Sequence, residues 1–163
     1  MKTLLLIRHA KSDQSFFGND FERPLNERGK TDAPVMAKRL LDKKIKLDLF
    51  VSSPAKRAKK TAELFCQKLN MKEDDILFIS KLYHASPEIF YEVIEELDNK
   101  FSTVAIVSHN PGITYFANDL SGSKVIDNMP TCAIFAIKVD IDKWSDFANA
   151  KKEYLFFDYP KNI

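Results

Sequence analysis

The run Leu4-Leu5-Leu6-Ile7 stops at Arg8-His9, and no other stretch narrows the choice of folds as sharply. Four consecutive apolar residues ended by a break suit a strand covered on both faces, because a half-exposed strand would alternate apolar with polar. Strands of that kind belong to parallel sheets, whose ligands bind beyond the carboxyl ends of the strands. Arg8 and His9 occupy that end. A strand running out into solvent would also leave a polar pair there, so the rest of the chain decides between a site and a hydrated loop.

The strand pattern recurs. Leu47 to Val51 reads as a second strand and ends in Ser52-Ser53-Pro54; Ile76 to Ile79 reads as a third; Ser102 to Ser108 reads as a fourth and ends at His109-Asn110-Pro111. A first helix is expected after Arg23-Pro24-Leu25-Asn26-Glu27-Arg28-Gly29, running to about Lys44 with Val35, Leu40 and Leu41 on its apolar side and Pro34 near its first turn or at a kink. A second should run from Pro54 to about Leu69, capped by Ser53, with Ala58, Thr61, Phe65 and Leu69 on one face. A third starts at Ser86-Pro87-Glu88, with Ile89, Val93 and Leu97 turned inward. The last is capped by Asn110, opened by Pro111 and closed after Leu120 by Gly122, and Gly112 near its start would let a ligand approach the backbone. Cys132 to Val139 and Glu153 to Phe157 read as late strands, and the interval Asp140 to Lys151, with Trp144 and Phe147, as a short helix or loop. Strands alternating with helices predict an α/β fold: a single three-layer domain over residues 1–163, with a mainly parallel central sheet, helices on both faces and late antiparallel strands.

Composition matters here for what it excludes. A net charge of +2 is too small to argue for nucleic acid, so a positive site has to be local. No apolar run approaches a membrane span, and the stretch from Leu4 is too short for a secretory core and is followed by Arg8. The two cysteines, Cys66 and Cys132, form no CxxC and are expected as reduced core thiols of a cytoplasmic protein.

On this topology three strand ends share one rim: Arg8-His9, Ser53-Pro54 leading to Arg57, and His109-Asn110. Of the three histidines in the chain, two directly follow buried strands. The second helix opens on Lys56, Arg57, Lys59 and Lys60, whereas the helix at Ser86-Pro87-Glu88 has the acidic first turn that the helix dipole favours. A solvated basic face accounts for three of these charges; an anion held at the helix start accounts for the inward-facing one. Arginine forks match phosphate oxygens, and a neutral imidazole whose protonation is opposed by nearby arginines can attack phosphorus while a second imidazole hydrogen-bonds the phosphoryl oxygens. The chemistry that suits these groups is phosphoryl transfer.

Leu6-Ile7-Arg8-His9-Ala10-Lys11-Ser12, Arg23-Pro24-Leu25-Asn26-Glu27-Arg28-Gly29, Ser53-Pro54-Ala55-Lys56-Arg57-Ala58 with Thr61-Ala62, and Ser108-His109-Asn110-Pro111-Gly112 resemble the histidine phosphatase superfamily, and more narrowly its small SixA-type phosphohistidine phosphatase branch. Met129-Pro130-Thr131-Cys132-Ala133 and Leu82-Tyr83 with Ala85-Ser86-Pro87-Glu88 are similar to that branch as well, so the resemblance spans nearly the whole chain. It implies that His9 is a nucleophile that becomes transiently phosphorylated, that Arg8, Arg57 and His109 form the phosphate pocket, and that neither metal nor cofactor takes part. Ser15 falls where larger relatives place an Asn that touches the phosphoryl group, and Asn110 would offer its backbone N–H. Ala10 stands where many relatives have Gly. The implied substrate is a phosphorylated protein carrying phosphohistidine, with no nucleic-acid or membrane partner.

The proton donor to the leaving group is the open position. Phosphomonoester-cleaving relatives use a carboxylate near the exit of the third strand, where this chain offers Tyr83, His84 and Glu88. A phosphohistidine leaving group needs that acid less than an alkoxide does, and a chain of this length leaves no room for a large cap over the site. The rival readings are a small-molecule phosphomonoesterase, taking its proton from Tyr83, His84 or an acid of the Asp13 to Glu22 loop, and a phosphate-recognition module without turnover. Cysteine phosphatase chemistry is excluded because Lys72 and Lys138 stand where an Arg should follow Cys66 or Cys132. Asp140-Ile141-Asp142 lacks the companion motifs of a dehalogenase-type phosphatase, and no Asp and His cluster suggests a two-metal hydrolase.

Overall fold

In the computed structural model, which describes residues 1–122 and 125–163, six strands form one sheet. They are β1 (Lys2–Arg8), β2 (Leu49–Ser52), β3 (Leu77–Phe78), β4 (Thr103–Ser108), β5 (Ile134–Val139) and β6 (Lys152–Asp158), in the spatial order β3-β2-β4-β1-β5-β6. The first four in that order are parallel; β5 pairs antiparallel with β1, and β6 with β5. The strand that opens the chain therefore lies inside the sheet, matched from Thr3↔Thr103 to Arg8↔Ser108 on one side and from Lys2↔Val139 to Ile7↔Ile134 on the other. Its four apolar residues are fully buried. Leu4 and Leu6 pack with Phe90, Phe116 and Trp144 on one face; Leu5 and Ile7 pack with Met36, Phe50 and Phe65 on the other.

Four helices supply the outer layers, as the alternation of the sequence requires. Helices α1 (Glu27–Asp42) and α2 (Lys56–Leu69) cover one face of the sheet, and α3 (Pro87–Glu95) and α4 (Gly112–Ser121) cover the other. Several boundaries and one helix face differ from expectation. Helix α1 buries Ala33, Met36, Ala37 and Leu40, while Val35 and Leu41 remain 43% and 46% exposed. Its neighbour α2 presents Ala58 and Ala62, so the two helices meet through small side chains instead of the bulkier aliphatics. Asn26 caps α1 by accepting from the Gly29 N–H, and Gly29 lies so close to the Lys11 backbone that a Cβ there would sit 2.2 Å from the carbonyl oxygen. Pro34 falls well inside the helix and not in its first turn.

Helix α2 begins after Ala55, which makes no side-chain cap bond, and the expected cap Ser53 is engaged elsewhere. β3 is a two-residue edge strand with both side chains exposed. Helix α4 starts at Gly112, following a cis Asn110-Pro111 bond, and Asn110 does not cap it. A Cβ at Gly112 would lie 1.9 Å from the Ala85 oxygen, so this glycine admits a neighbouring segment of chain and not a ligand. β5 starts only at Ile134 because Cys132 takes a left-handed φ of 63° and donates its N–H to the carbonyls of both Arg8 and His9, at 3.0 Å each. Trp144–Asp146 is one turn of helix that buries Trp144. Among the described residues no helix is long and apolar enough to cross a membrane.

Candidate active site

The register of the sheet brings the three strand ends together. Arg8 is paired with Ser108, so the residues that follow, His9 and His109, leave adjacent strands side by side, with ring centroids 5.1 Å apart. Ser52 is paired with Val107 on the far side of β4, which places Ser53 against His109 and starts α2, with Arg57 in its first turn, at the same rim. The Thr61 hydroxyl joins the parts: it donates to the Arg57 carbonyl at 2.7 Å and accepts from the Ala10 N–H at 2.9 Å.

His9 is buried, and its Nδ1 lies 2.8 Å from the Ala10 carbonyl oxygen. A carbonyl can only accept, so Nδ1 carries the hydrogen and Nε2 keeps its lone pair. Burial, followed by the neighbouring His109 and the charges of Arg57 and Arg8, holds the imidazole well below its ordinary pKa, against the opposing pull of the Ala10 hydrogen bond. His9 is therefore neutral at pH 7. His109 Nε2 is 2.7 Å from the Ser53 hydroxyl, which itself accepts from the Ala55 N–H. With one lone pair so engaged the Ser53 hydroxyl can still donate to His109 Nε2, and in that tautomer the ring hydrogen lies on Nδ1. Burial first, then Arg57, pushes His109 down to about 3.

The two guanidinium groups are anchored from outside the pocket. Arg8 donates through Nη1 to the Met129 carbonyl at 2.9 Å; Arg57 donates to the Asp20 carbonyl at 2.8 Å and to Asp20 Oδ2 at 3.0 Å. Three nitrogens are left over, two guanidinium N–H groups and, in the tautomer above, an imidazole N–H. Arg8 Nε, Arg57 Nε and His109 Nδ1 are all buried without a hydrogen-bond partner among the described residues. Such orphans are uncommon in folded proteins, and three of them around His9 suit the oxygens of a tetrahedral anion.

Asp20 carries much of the rim. Its Oδ2 also accepts from the Tyr83 hydroxyl at 2.6 Å, and its Oδ1 from Arg23 at 2.8 Å. The Tyr83 hydroxyl, with Arg57 and Arg23 behind it, holds the carboxyl down to about 2, while burial and the same carboxylate push the Tyr83 phenol up. The Tyr83 ring stands edge-on to His109 at 5.5 Å and contacts the rings of Phe21 and His84.

Of the residues singled out in the sequence, Arg8, His9, Arg57 and His109 converge, with Tyr83 and then His84 at their edge. Ser15 is exposed and hydrogen-bonded to Asp13 within its own loop. Glu88 is an exposed helix-start carboxylate that accepts from its own N–H and from Ser86. Asn110 shapes the rim from behind: its amide donates to Asn128 and to the Met129 carbonyl that also holds Arg8, and it accepts from Thr114. Ser53, Thr61 and the Arg57 partner Asp20 were not identifiable individually, because a serine before a proline reads as a cap and a loop acid reads as solvated.

Two cavities adjoin this rim. One of about 700 Å³ lies between the Asp20–Glu22 turn and α2; another of about 320 Å³ is lined by His84, His109 and Tyr115. Cys66 and Cys132 are buried free thiols, and burial pushes Cys66 up to about 12, so neither is a nucleophile at neutral pH. Among the described residues, no three His, Cys, Asp or Glu side chains are grouped to hold a metal ion.

Residues 4–77 match the family model described as the histidine phosphatase superfamily (branch 1). The fold is similar to that of a SixA protein from Agrobacterium tumefaciens, assigned as a phosphohistidine phosphatase, with 25% identity, 98% of each chain covered and a TM-score of 0.82. It is similar also to the protein histidine phosphatase SixA complexed with tungstate, at 21% identity, 98% of each chain and a TM-score of 0.83. The mycobacterial glucosyl-3-phosphoglycerate phosphatase in complex with VO3 shares the fold at 16% identity, over 98% of this chain and 100% of that one, with a TM-score of 0.69.

Proposed function

We propose that this chain, which belongs to the histidine phosphatase superfamily and within it to the SixA-type branch, removes the phosphoryl group from phosphohistidine on another protein through a covalent intermediate on His9. The observation that carries the reading is the set of three buried unpaired donors, Arg8 Nε, Arg57 Nε and His109 Nδ1, around an imidazole whose Nε2 lone pair is available. The phosphoryl oxygens take these donors. His9 Nε2 attacks phosphorus as the bond to the substrate imidazole nitrogen breaks, and the departing ring keeps the electron pair while carrying a proton on its other nitrogen. The Ala10 carbonyl, accepting from Nδ1–H, stabilises the positive charge that grows on His9. Water then attacks phosphorus, the bond to Nε2 breaks, and inorganic phosphate leaves. No metal or cofactor enters either step.

Two features support phosphohistidine over a phosphate ester. Asp20, the carboxylate nearest Arg57, is ionised at neutral pH, and the Tyr83 proton is committed to it. Neither is a ready acid for an alkoxide, whereas a protonated imidazole leaves without one. The test is turnover of a phosphohistidine peptide against p-nitrophenyl phosphate and sugar phosphates, with and without chelator, together with trapping of the enzyme by rapid quench in alkaline detergent, which preserves a phosphorylated imidazole. Preference for the peptide, indifference to chelator and an acid-labile phosphoenzyme absent in His9→Ala are expected. A large preference for the esters, or a phosphoenzyme that persists in His9→Ala, overturns the reading.

A further inference from the structure

The basic start of α2 is only partly accounted for by the site. Arg57 is buried at the rim, but Lys56, Lys59 and Lys60 point elsewhere: they line the cavity of about 700 Å³ together with Lys30 of α1. Positions 56, 59, 60 and 63 recur at helical spacing and make one stripe along α2, opposite the buried Ala58, Thr61 and Phe65. Among the described residues none of these three lysines forms a salt bridge; Lys30 meets only the exposed Glu27, at 3.6 Å. The lining also includes Phe21, Pro24 and Leu25. Apolar and cationic residues thus line one groove, and it begins one residue from the Arg57 clamp. Four lysines against Glu22 and Glu63 leave it positive, at a helix end whose dipole is positive already.

We propose that this groove docks an acidic segment flanking the phosphorylated histidine of the substrate protein; the assignment of a phosphohistidine substrate is the reading it rests on. The stripe from position 56 to 63 is roughly 10 Å long at the helical rise, the length of about three extended residues. With the phosphoryl group seated at Arg57, acidic residues about two to five positions to one side of the phosphohistidine meet Lys56, Lys59 and Lys60 in turn. Phe21 and Pro24 take an apolar residue between them. Charge complementarity sets the partner: the lysines have no carboxylate of their own, and a segment rich in Glu or Asp supplies it.

The experiment separates docking from catalysis. Fluorescein-labelled twelve-residue peptides without any phosphorylated residue, one Glu-rich and one with Gln in place of Glu, are titrated by anisotropy against the wild-type chain and against K56E/K59E/K60E. The Glu peptide should bind about tenfold more tightly than its Gln counterpart, from several exposed pairs acting together. That gap should vanish in the variant and at high salt. K56Q/K59Q/K60Q, with its melting temperature compared with wild type, guards against a folding defect. In parallel, phosphohistidine peptides with the same flanks and free phosphohistidine are assayed: the variant should lose the preference for acidic flanks, as a rise in KM, and retain turnover of free phosphohistidine. Equal binding of Glu and Gln peptides, or an oligonucleotide of equal charge bound as tightly as the Glu peptide, overturns the proposal. Turnover of phosphohistidine peptides with no flank preference removes the groove and leaves the activity; binding of the Glu peptide without phosphohistidine turnover removes the activity and leaves the groove.

Discussion

Replacing Asp20 by asparagine should tighten the binding of inorganic phosphate about tenfold. The Asp20 carboxylate and carbonyl take the Nη edge of Arg57 and leave the Nε edge for an incoming anion. A phosphoryl dianion on the Nε edge would lie about 6 Å from that carboxylate, across the width of the guanidinium. A double and a single negative charge at about 6 Å repel by about 1.4 kcal/mol at the dielectric of water and about 2.8 kcal/mol at half that value. Asp20 is 53% exposed on its side chain, so the smaller figure applies, and about 1.4 kcal/mol is a factor of about ten in affinity. Asparagine keeps an acceptor for Tyr83 and leaves the Asp20 carbonyl holding Arg57 Nη1. The assay is product inhibition by phosphate at pH 7.5, for wild type and Asp20→Asn, at low and high salt. The gap should narrow as salt rises. If phosphate binds no better to the variant and turnover falls in step, the carboxylate orients Arg57 without competing for it, and the reasoning fails.

Acid should destabilise the free protein through His109 before any carboxylate is protonated. Its folded value of about 3 lies below the ordinary value of about 6.5, so between them the unfolded chain binds the extra proton; stability complete above pH 6.5 falls by about 2 kcal/mol by pH 5. Asp20 acts in a lower window, stabilising above pH of about 4 and losing that effect as pH falls through about 2. Urea midpoints at pH 7 and pH 5 should therefore differ less in His109→Asn than in wild type, and equal acid sensitivity refutes the assignment. Gly112→Ala should cost about 2 kcal/mol or more, because its Cβ meets the backbone of Ala85. For a chain of this size that lowers Tm by roughly 4 to 8 °C. Turnover should drop with it, since Ala85 adjoins His84 and Tyr83 at the rim, and an unchanged melting curve contradicts the close approach.

The central strand and the rim were legible because burial on two faces forces a continuous apolar run, and because a parallel sheet fixes where its strands end. Two histidines following two such runs could then be placed side by side with no knowledge of side-chain geometry. Asp20 could not, since the loop also offers Asp13, Asn19 and Glu22, and only its folded path decides which acid reaches Arg57. Ser53 was misread for a related reason. The hydroxyl that would cap a helix is the same group that orients His109, and the two uses differ by which neighbour is closer. Val35 and Leu41 looked inward by size, but the α1 and α2 contact selected small residues, a property of the pair of helices and not of either alone.

Pairing in the sheet also sets a timetable. β1 precedes both of its neighbours by a wide margin: Thr3 waits for Thr103, and Ile7 for Ile134. At a synthesis rate of about 5 to 20 residues per second, the first hundred residues leave the ribosome over roughly 5 to 20 seconds, and during that time the run from Leu4 to Ile7 has no strand beside it. The groups that fix Arg8 and His9, the Met129 carbonyl and the Cys132 N–H, emerge later still. A nascent chain carrying every residue up to Ser108 thus has β4 to set beside β1 but no strand on its other side, and an unformed pocket, which makes it a natural client for a chaperone. A chain cut short before Met129 therefore lacks both the carbonyl that anchors Arg8 and the N–H that ties down the turn at Arg8 and His9.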